Sequence, residues 1–336
     1  MTAAPKIQGA RSSRTTSRMK LRVKKMPVPN RGYEFHEAVL LAEVLERLAP
    51  APGRIFLDGT IGGGGHAAAL MAAGARIVGL DQDAEALDFA VRRLAEFGDF
   101  FQPVRSSFAE AGEVLDGLGI AKIDGALLDL GVSSRHLDAA ERGFSFMREG
   151  PLDMRMDTRG LTTAADLVNS LSGEQLERMF REFGEEPAAR RIAARITRER
   201  MVKPILTTLG LAQLVESVVP RRGRAHPATR VFQALRIAVN RELEVLATGL
   251  AQITARLATG GRFAVITFHS LEDRIVKEFF KTRTVPTLDR PEWPEARPNP
   301  DCIFRKITGK PVCASPAEER ANPRARSAKL RVVEKI

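Results

Sequence analysis

Residues 55–66, Ile-Phe-Leu-Asp-Gly-Thr-Ile-Gly-Gly-Gly-Gly-His, constrain the fold of this chain more than any other stretch. An apolar run ends in Asp58, four consecutive glycines follow, and an Ala-rich helical pattern begins at about residue 66. Glycine lets a backbone turn sharply and approach a ligand closely. A strand, a glycine-rich loop and a helix N-terminus together form a nucleotide-type pocket. The same rhythm continues downstream. Further short apolar runs fall at 76–81, 101–105, 123–130 and 262–268, with helical spacings at 36–48, 66–73, 84–97, 231–258 and 271–280. A last edge strand is expected at 330–333. Alternation of this kind predicts an α/β fold with a mostly parallel sheet. Ligands of such sheets bind beyond the carboxyl ends of the strands. Asp58, Asp81 and Asp129 all stand at such ends, so three acids are expected around one crevice.

The acid before the glycines decides between ligands. Gly62-x-Gly64-x-x-Ala67 fits the dinucleotide fingerprint in form, and Asp81 lies at the distance expected for a ribose-binding acid. A dinucleotide, however, puts a negative pyrophosphate against the loop, and Asp58 would repel it. S-adenosylmethionine carries a positive ammonium and a sulfonium instead, and a carboxylate at the strand end suits it. Asp81 then takes the ribose hydroxyls, with Phe108 and Asp129 toward the adenine and the sulfonium. The competing reading of Asp58 is a structural cap of the turn that follows it.

Charge and the long interruption of the α/β rhythm bear on the partner. The net charge is +11, but residues 1–33 hold nine basic side chains and no acid, which leaves only +2 for the remainder. That basic arm, expected to be disordered, suits RNA phosphates, although a solvated leader or an organellar transit peptide has the same composition. Residues 135–229 stand where such a fold needs only a short connection. Within them, Gly143–Asp157 has no clear period, and three helices follow. The first is capped by Ser172 with Gln175 and stopped by Gly184, the second starts at Pro187, and the third runs from Thr208 to Pro220. Arg191, Arg195 and Arg198 share a face of the second helix, and Arg221, Arg222, Arg224, His226 and Arg230 cluster after the third. These eight residues are the expected RNA contacts, against a plain solvated face. No run approaches the roughly 20 apolar residues of a membrane span. Two cysteines, Cys302 and Cys313, form neither a disulfide framework nor a metal site. A soluble, cytoplasmic protein without a metal is expected.

Several long stretches resemble one family, the bacterial 16S rRNA cytosine-N4 methyltransferases H, also called MraW. They are DGTIGGGGH at 58–66, DGALLDLGVSS at 124–134 and ERGFSFMREGPLDMRMD at 141–157. HPATRVFQALRIAVNRELE at 226–244, ITFHSLEDRIVK at 266–277 and NPRARSAKLR at 322–331 complete the set. The resemblance runs from about residue 34 to the C-terminus. It implies a class I, Rossmann-like S-adenosylmethionine-dependent methyltransferase acting on a cytidine in the decoding region of small-subunit ribosomal RNA. It divides the chain into a basic arm (1–33), a methyltransferase domain (34–134 and 230–336) and an inserted helical substrate domain (135–229). The family's cofactor residues fall on Gly64, Gly65, His66, Asp81, Phe108, Asp129 and His136, and the residue reading adds Asp58 and Gly62. At position 136 the family commonly has Gln.

Methyl transfer to an exocyclic amine needs the amine positioned and its lone pair localised. Asp129 is the expected acceptor for that amine, and Phe144 and Phe146 are candidates for stacking on the base. His269, at the end of strand five, is the candidate for the departing proton. A hydrogen-bonded rim histidine is the competing reading, as core packing is for the two phenylalanines. Asp153, Arg155 and Asp157 read as an ion-pair set at the pocket mouth. Open alternatives are a methyltransferase acting on another RNA, DNA or a protein amine, and a non-catalytic ribosome assembly factor. The oligomeric state is not legible.

Overall fold

The computed structural model describes residues 38–221, 226–289 and 292–336, with the side chains of residues 134 and 135 excepted. The arm at 1–33 and the candidates Arg222 and Arg224 lie outside the described residues. The elements in chain order begin with α1 (Leu41–Leu48), β1 (Ile55–Asp58), α2 (Gly65–Ala72), β2 (Arg76–Asp81), α3 (Ala84–Arg93), β3 (Phe101–Arg105), α4 (Ala111–Gly117) and β4 (Ile123–Asp129). The helical stretch comprises α5 (Ser134–Asp138), α6 (Ala164–Ser170), α7 (Gly173–Gly184), α8 (Ala189–Glu199), α9 (Thr208–Val218) and α10 (Thr229–Asn240). Then come α11 (Glu242–Arg256), β5 (Leu257–Thr267), α12 (Ser270–Thr282), β6 (Thr287–Leu288), β7 (Arg297–Pro298), β8 (Phe304–Lys306), α13 (Pro316–Ala321) and β9 (Lys329–Lys335).

Seven strands form one sheet in the order β3-β2-β1-β4-β5-β9-β8. The first five run parallel, while β9 is antiparallel to both β5 and β8. From β1 the chain winds outward first to β2 and β3, then returns to β4 on the other side. The order therefore reverses between β1 and β4, the place where open α/β sheets bind ligands. Apolar residues cover both faces. Phe56, Ile77 and Leu127 join α1 and α2 on one face, and Leu57, Val78, Leu128 and Phe263 meet α11 and α12 on the other. This is the class I methyltransferase arrangement that the resemblance implies. Among the described residues, no helix is long and apolar enough to cross a membrane.

The helical stretch has its own apolar core, built from Leu152, Met154, Phe180, Ile192, Leu211, Phe232 and Leu235. Its first long helix, α7, starts as its sequence predicts. The Ser172 hydroxyl accepts from Gln175 N and the Gln175 amide oxygen accepts from Ser172 N, satisfying two otherwise orphaned donors. The loop at 143–157 is fixed by close backbone contact. A Cβ on Gly143 would lie 2.2 Å from the Pro151 oxygen, and one on Gly150 would lie 1.9 Å from the Ala140 oxygen. Asn240 closes the loop from α10, donating to Met154 O and accepting from Met156 N.

Several expectations are corrected. The single helix at 231–258 is two helices, because Arg241 adopts φ 49° between them. Its apolar stripe accordingly serves two cores, Leu235 the helical one and Leu246, Leu250, Ile253 and Leu257 the sheet. The C-terminal strand is not an edge, since β8 pairs outside it. Residues 284–300 contain a two-stranded ribbon, β6 with β7. The helix α6 was not anticipated, although Thr163 and Asp166 form a capping box at its start.

Candidate functional site

A crevice of about 380 Å³ opens at the β1/β4 reversal. Gly62, Gly65, His66, Asp81, Phe108, Asp129 and His136 line it, as expected. Asp58 and Gly64 are not on its wall. Asp58 is buried under the loop and accepts from Thr60 N at 3.2 Å, so the capping reading describes its contact. Gly64 shapes the loop from behind. Its φ is +73°, and a Cβ would approach Leu94 to 2.9 Å. That conformation and that spacing both call for glycine. Two further glycines seat Phe108, because a Cβ on Gly59 or Gly249 would fall within 2.9 Å or 2.3 Å of it.

The three strand-end acids differ in what their oxygens do. Asp81 accepts from Gly62 N at 3.0 Å and Asp83 N at 2.9 Å, which locks the glycine loop to β2. Burial nonetheless leaves its pKa raised, those two hydrogen bonds opposing the shift. Asp129 is positioned through its backbone, where its N–H donates to Thr60 Oγ1 at 2.7 Å. Its Oδ1 is buried without a hydrogen-bond partner. Burial, then the fields of Asp58 and Glu272, push its pKa up to about 8. The carboxyl still exposes 24% of its surface, so water in the crevice moderates that shift. Asp58 is pushed up to about 7 by burial, with Thr60 N opposing and Asp81 adding.

His66 faces Asp129 across 3.7 Å, Nδ1 to Oδ2. Burial lowers its pKa to about 4, so the ring is neutral at physiological pH. Its Nε2 lies 2.9 Å from the Val39 carbonyl, which fixes the proton there and leaves Nδ1 as an acceptor. His136 is held by Asp83, whose Oδ2 lies 2.7 Å from Nε2, and Nδ1 accepts from Ser133 N at 3.3 Å. The ring stacks on Phe144 at 4.6 Å. Asp83 also accepts from Arg142 at 2.8 Å, and Arg142 reaches the carbonyls of Arg155 and Met156. Burial opposes the charge of Asp83, but His136 and Arg142 hold its pKa well below the usual carboxylate range. This buried network ties the crevice to the 143–157 loop. At that loop Asp153 binds Arg155 as expected, while Asp157 pairs outside the expected set, with Arg105 and Arg159.

His269 is placed away from the crevice wall. It is the N-cap of α12, with Nδ1 a long 3.5 Å from Glu272 N and Nε2 2.9 Å from Glu272 Oε1. The competing reading, a rim histidine held by its own helix, describes these contacts. Phe144 belongs to the helical core, and Phe146 packs against it beside His226 and Phe232. Besides Phe108, the phenylalanine on the crevice wall is instead Phe268, next to His269 in sequence. Sequence reading also missed Arg93, Arg236, Asn322, Arg324 and Ser327, all on that wall. For all of these but Arg93 the signal lay in the stretches 226–244 and 322–331, which carried the resemblance without an assigned role.

Among the expected RNA contacts, Arg191 and Arg198 are exposed on α8, and Arg195 pairs with Glu199 at 3.0 Å. Arg221 and Arg230 are exposed. His226 is largely engaged, tilted against Phe146 at 4.5 Å between ring centroids with Nε2 3.0 Å from Glu216.

The crevice suits S-adenosylmethionine on structural grounds: a glycine cradle without side chains, and a half-buried carboxyl, that of Asp129, whose Oδ1 lacks a partner. The residues on the crevice wall that would hold it are Gly62, Gly65, Asp81, Phe108, Asp129 and His136.

The chain is 52% identical over 304 residues to the ribosomal RNA small subunit methyltransferase H of Anaeromyxobacter dehalogenans, covering 90% of this chain and 98% of that one. The protein of the same name from Syntrophotalea carbinolica is 52% identical over 307 residues, at 90% and 98% coverage. That from Geobacter sulfurreducens is 50% identical over 307 residues, at 90% and 99%. Among solved structures, an rRNA methylase from Streptococcus thermophilus aligns over 88% of this chain and 92% of its own, with 13% identity and a TM-score of 0.38, a likeness too distant to carry weight. Residues 33–336 match the MraW methylase family, and the chain belongs to it.

Proposed function

We propose that this protein transfers a methyl group from S-adenosylmethionine to the exocyclic N4 of a cytidine in the decoding region of 16S ribosomal RNA. The observation that carries the reading is Asp129, a strand-end carboxyl with an unpartnered Oδ1 beside a glycine cradle. The relatives' shared name, ribosomal RNA small subunit methyltransferase H, supports the substrate class.

When bound, the cofactor supplies a methyl group on a sulfonium, already a good leaving group. The protein's own residues then have three tasks. Asp129 accepts a hydrogen bond from the target amine, drawing its delocalised lone pair onto nitrogen and orienting it. His66, neutral and with a free Nδ1 lone pair, stands beside it as acceptor for the proton the amine must shed. Phe268 and Phe108 supply apolar walls that exclude water and give a splayed base a stacking surface. The exposed arginines of α8, with Arg221 and Arg230, extend this reading to the RNA backbone, and residues 135–229 act as the RNA-recognition part. A cytoplasmic location follows from ribosomal RNA as substrate.

The test offers small subunits, 16S RNA, DNA and a protein mixture to the enzyme with methyl-labelled cofactor. Label is expected in the small-subunit RNA. Label only in DNA or protein would reject the substrate class. Failure to bind cofactor in a calorimetric titration would favour a non-catalytic assembly factor.

A further inference from the structure

Arg236 sits on the crevice wall with Asp129 and Phe268, yet cofactor binding gives it no task. Its guanidinium is largely buried, and Nε and Nη2 each donate to Glu242, at 2.8 Å and 2.8 Å. Among the described residues, no hydrogen bond uses Nη1 or the second N–H of Nη2, the donors this side chain still has to offer. Glu272 lies close enough to act electrically on both Arg236 and Asp129. Burial opposes the arginine's charge, but the fields of Glu242 and Glu272 and the hydrogen bonds to Glu242 hold its pKa above the ordinary value. It is therefore a cation fixed in a planar fork, with one edge satisfied and the other unspent.

A buried ion pair is weak evidence for stability, because desolvation offsets the attraction between its members. Glu242, His269 and Glu272 also gather ligand-type atoms within 4.8 Å of one another, as a divalent-ion site would. Both Glu242 oxygens are already held by the guanidinium, so the cluster is better described as the seat of Arg236.

We propose that Arg236 reads the N3/O2 edge of the target cytosine while Asp129 accepts from its N4 amine. This rests on the reading that cytidine is the substrate. The Watson–Crick edge of cytosine presents a donor at N4 and acceptors at N3 and O2. One N–H of Nη1 and the second N–H of Nη2 point the same way and supply parallel donors for the two acceptors, and Asp129 supplies the acceptor for the donor. Uracil reverses the pattern at positions 4 and 3, setting an oxygen against Asp129 and an N–H against Arg236. A site built this way rejects the wrong base by leaving its own polar groups unpaired. Glu242 fixes the plane of the fork from behind, and Phe268 offers the face on which the ring lies.

The test measures binding of cytidine, uridine and 3-deazacytidine by ligand-observed NMR, with S-adenosylhomocysteine present. The proteins are the native enzyme, Arg236→Lys, and the double variant Arg236→Gln/Glu242→Gln, which leaves no lone buried charge. The native enzyme is expected to prefer cytidine to both analogues by about 5- to 150-fold, the range for a bidentate base contact. In the double variant cytidine and 3-deazacytidine should fall within about twofold of one another, Asp129 should keep part of the preference against uridine, and S-adenosylhomocysteine affinity by calorimetry should stay within about twofold of native. Arg236→Lys keeps the charge but loses the fork, and should lose most of the preference against 3-deazacytidine. Native discrimination against 3-deazacytidine retained by either folded variant, or absent from the native enzyme, would overturn the proposal. If discrimination holds but small-subunit RNA gains no N4-methylcytidine, the substrate reading fails and the base contact stands.

Discussion

Asp129 holds a proton at neutral pH that a cation in the crevice would drive off, and the neighbouring Asp58 holds part of one. With pKa values of about 8 and about 7, they carry about 0.9 and about 0.5 of a proton at pH 7. A unit positive charge about 4 Å from the Asp129 carboxyl, at an effective dielectric of about 20, favours its ionised form by about 4 kcal/mol. That amounts to about three pH units, enough to ionise Asp129 fully at pH 7. The ionised Asp129 in turn helps Asp58 keep its proton, so the two titrate as a coupled pair and release stops near one. Binding of S-adenosylmethionine should therefore release about one proton at pH 7 and about 0.1 at pH 9. Titration calorimetry in buffers of different ionisation enthalpy measures this number directly. S-adenosylhomocysteine has the same amino-acid tail without the sulfonium charge, so the difference between the two ligands isolates the effect on the strand-end acids. Asp129→Asn should abolish the difference. Equal proton release by the two ligands at pH 7 would refute the reasoning.

Other outcomes follow from the same geometry. Both acids have raised folded-state values, so their contribution to stability is present at low pH and is lost as pH rises through the folded values. The ligand-free protein should then melt higher near pH 5.5 than at pH 8.5, and saturating S-adenosylmethionine should shrink that gap in a thermal scan. Gly64→Ala forces a side chain into a left-handed conformation at a cost of about 1–2 kcal/mol, besides crowding Leu94. Calorimetry should show weaker cofactor binding by at least about tenfold, with the chain still folded. His269→Ala removes the α12 cap and costs about 1 kcal/mol, read as a melting temperature lower by a few degrees. Single-turnover methylation per folded molecule should change by no more than a few-fold. Replacing Arg191, Arg195 and Arg198 with Gln should flatten the dependence of small-subunit binding on log salt by about two to three units, leaving cofactor affinity unchanged.

Much of the sheet was legible because its boundaries are local. β2 and β3 fall where short apolar runs begin and end, and α7 begins at a capping box visible in four residues. The break at Arg241 was not legible. A non-glycine residue in left-handed conformation leaves no mark, and the apolar period runs through it because both helices bury the same side of the sequence pattern. The cofactor half of the site was legible for the same reason as the sheet: glycines and acids at strand ends define it by position. The opposite wall is assembled by long-range packing. Arg236 comes from a helix about 100 residues after Asp129 in sequence, and Asn322, Arg324 and Ser327 come from near the C-terminus. His269 drew attention because it ends a strand, but chain direction carried the neighbouring Phe268 to the crevice instead.

The most direct measurement is nucleoside mass spectrometry of 16S RNA from small subunits incubated with S-adenosylmethionine and either the native enzyme or Asp129→Asn. The native enzyme is expected to add N4-methylcytidine at a single decoding-region position, and the variant to add none while still binding cofactor. Methylation of a different nucleoside, or undiminished N4-methylcytidine from Asp129→Asn, would contradict the assignment of Asp129 as the group that engages the cytidine amine.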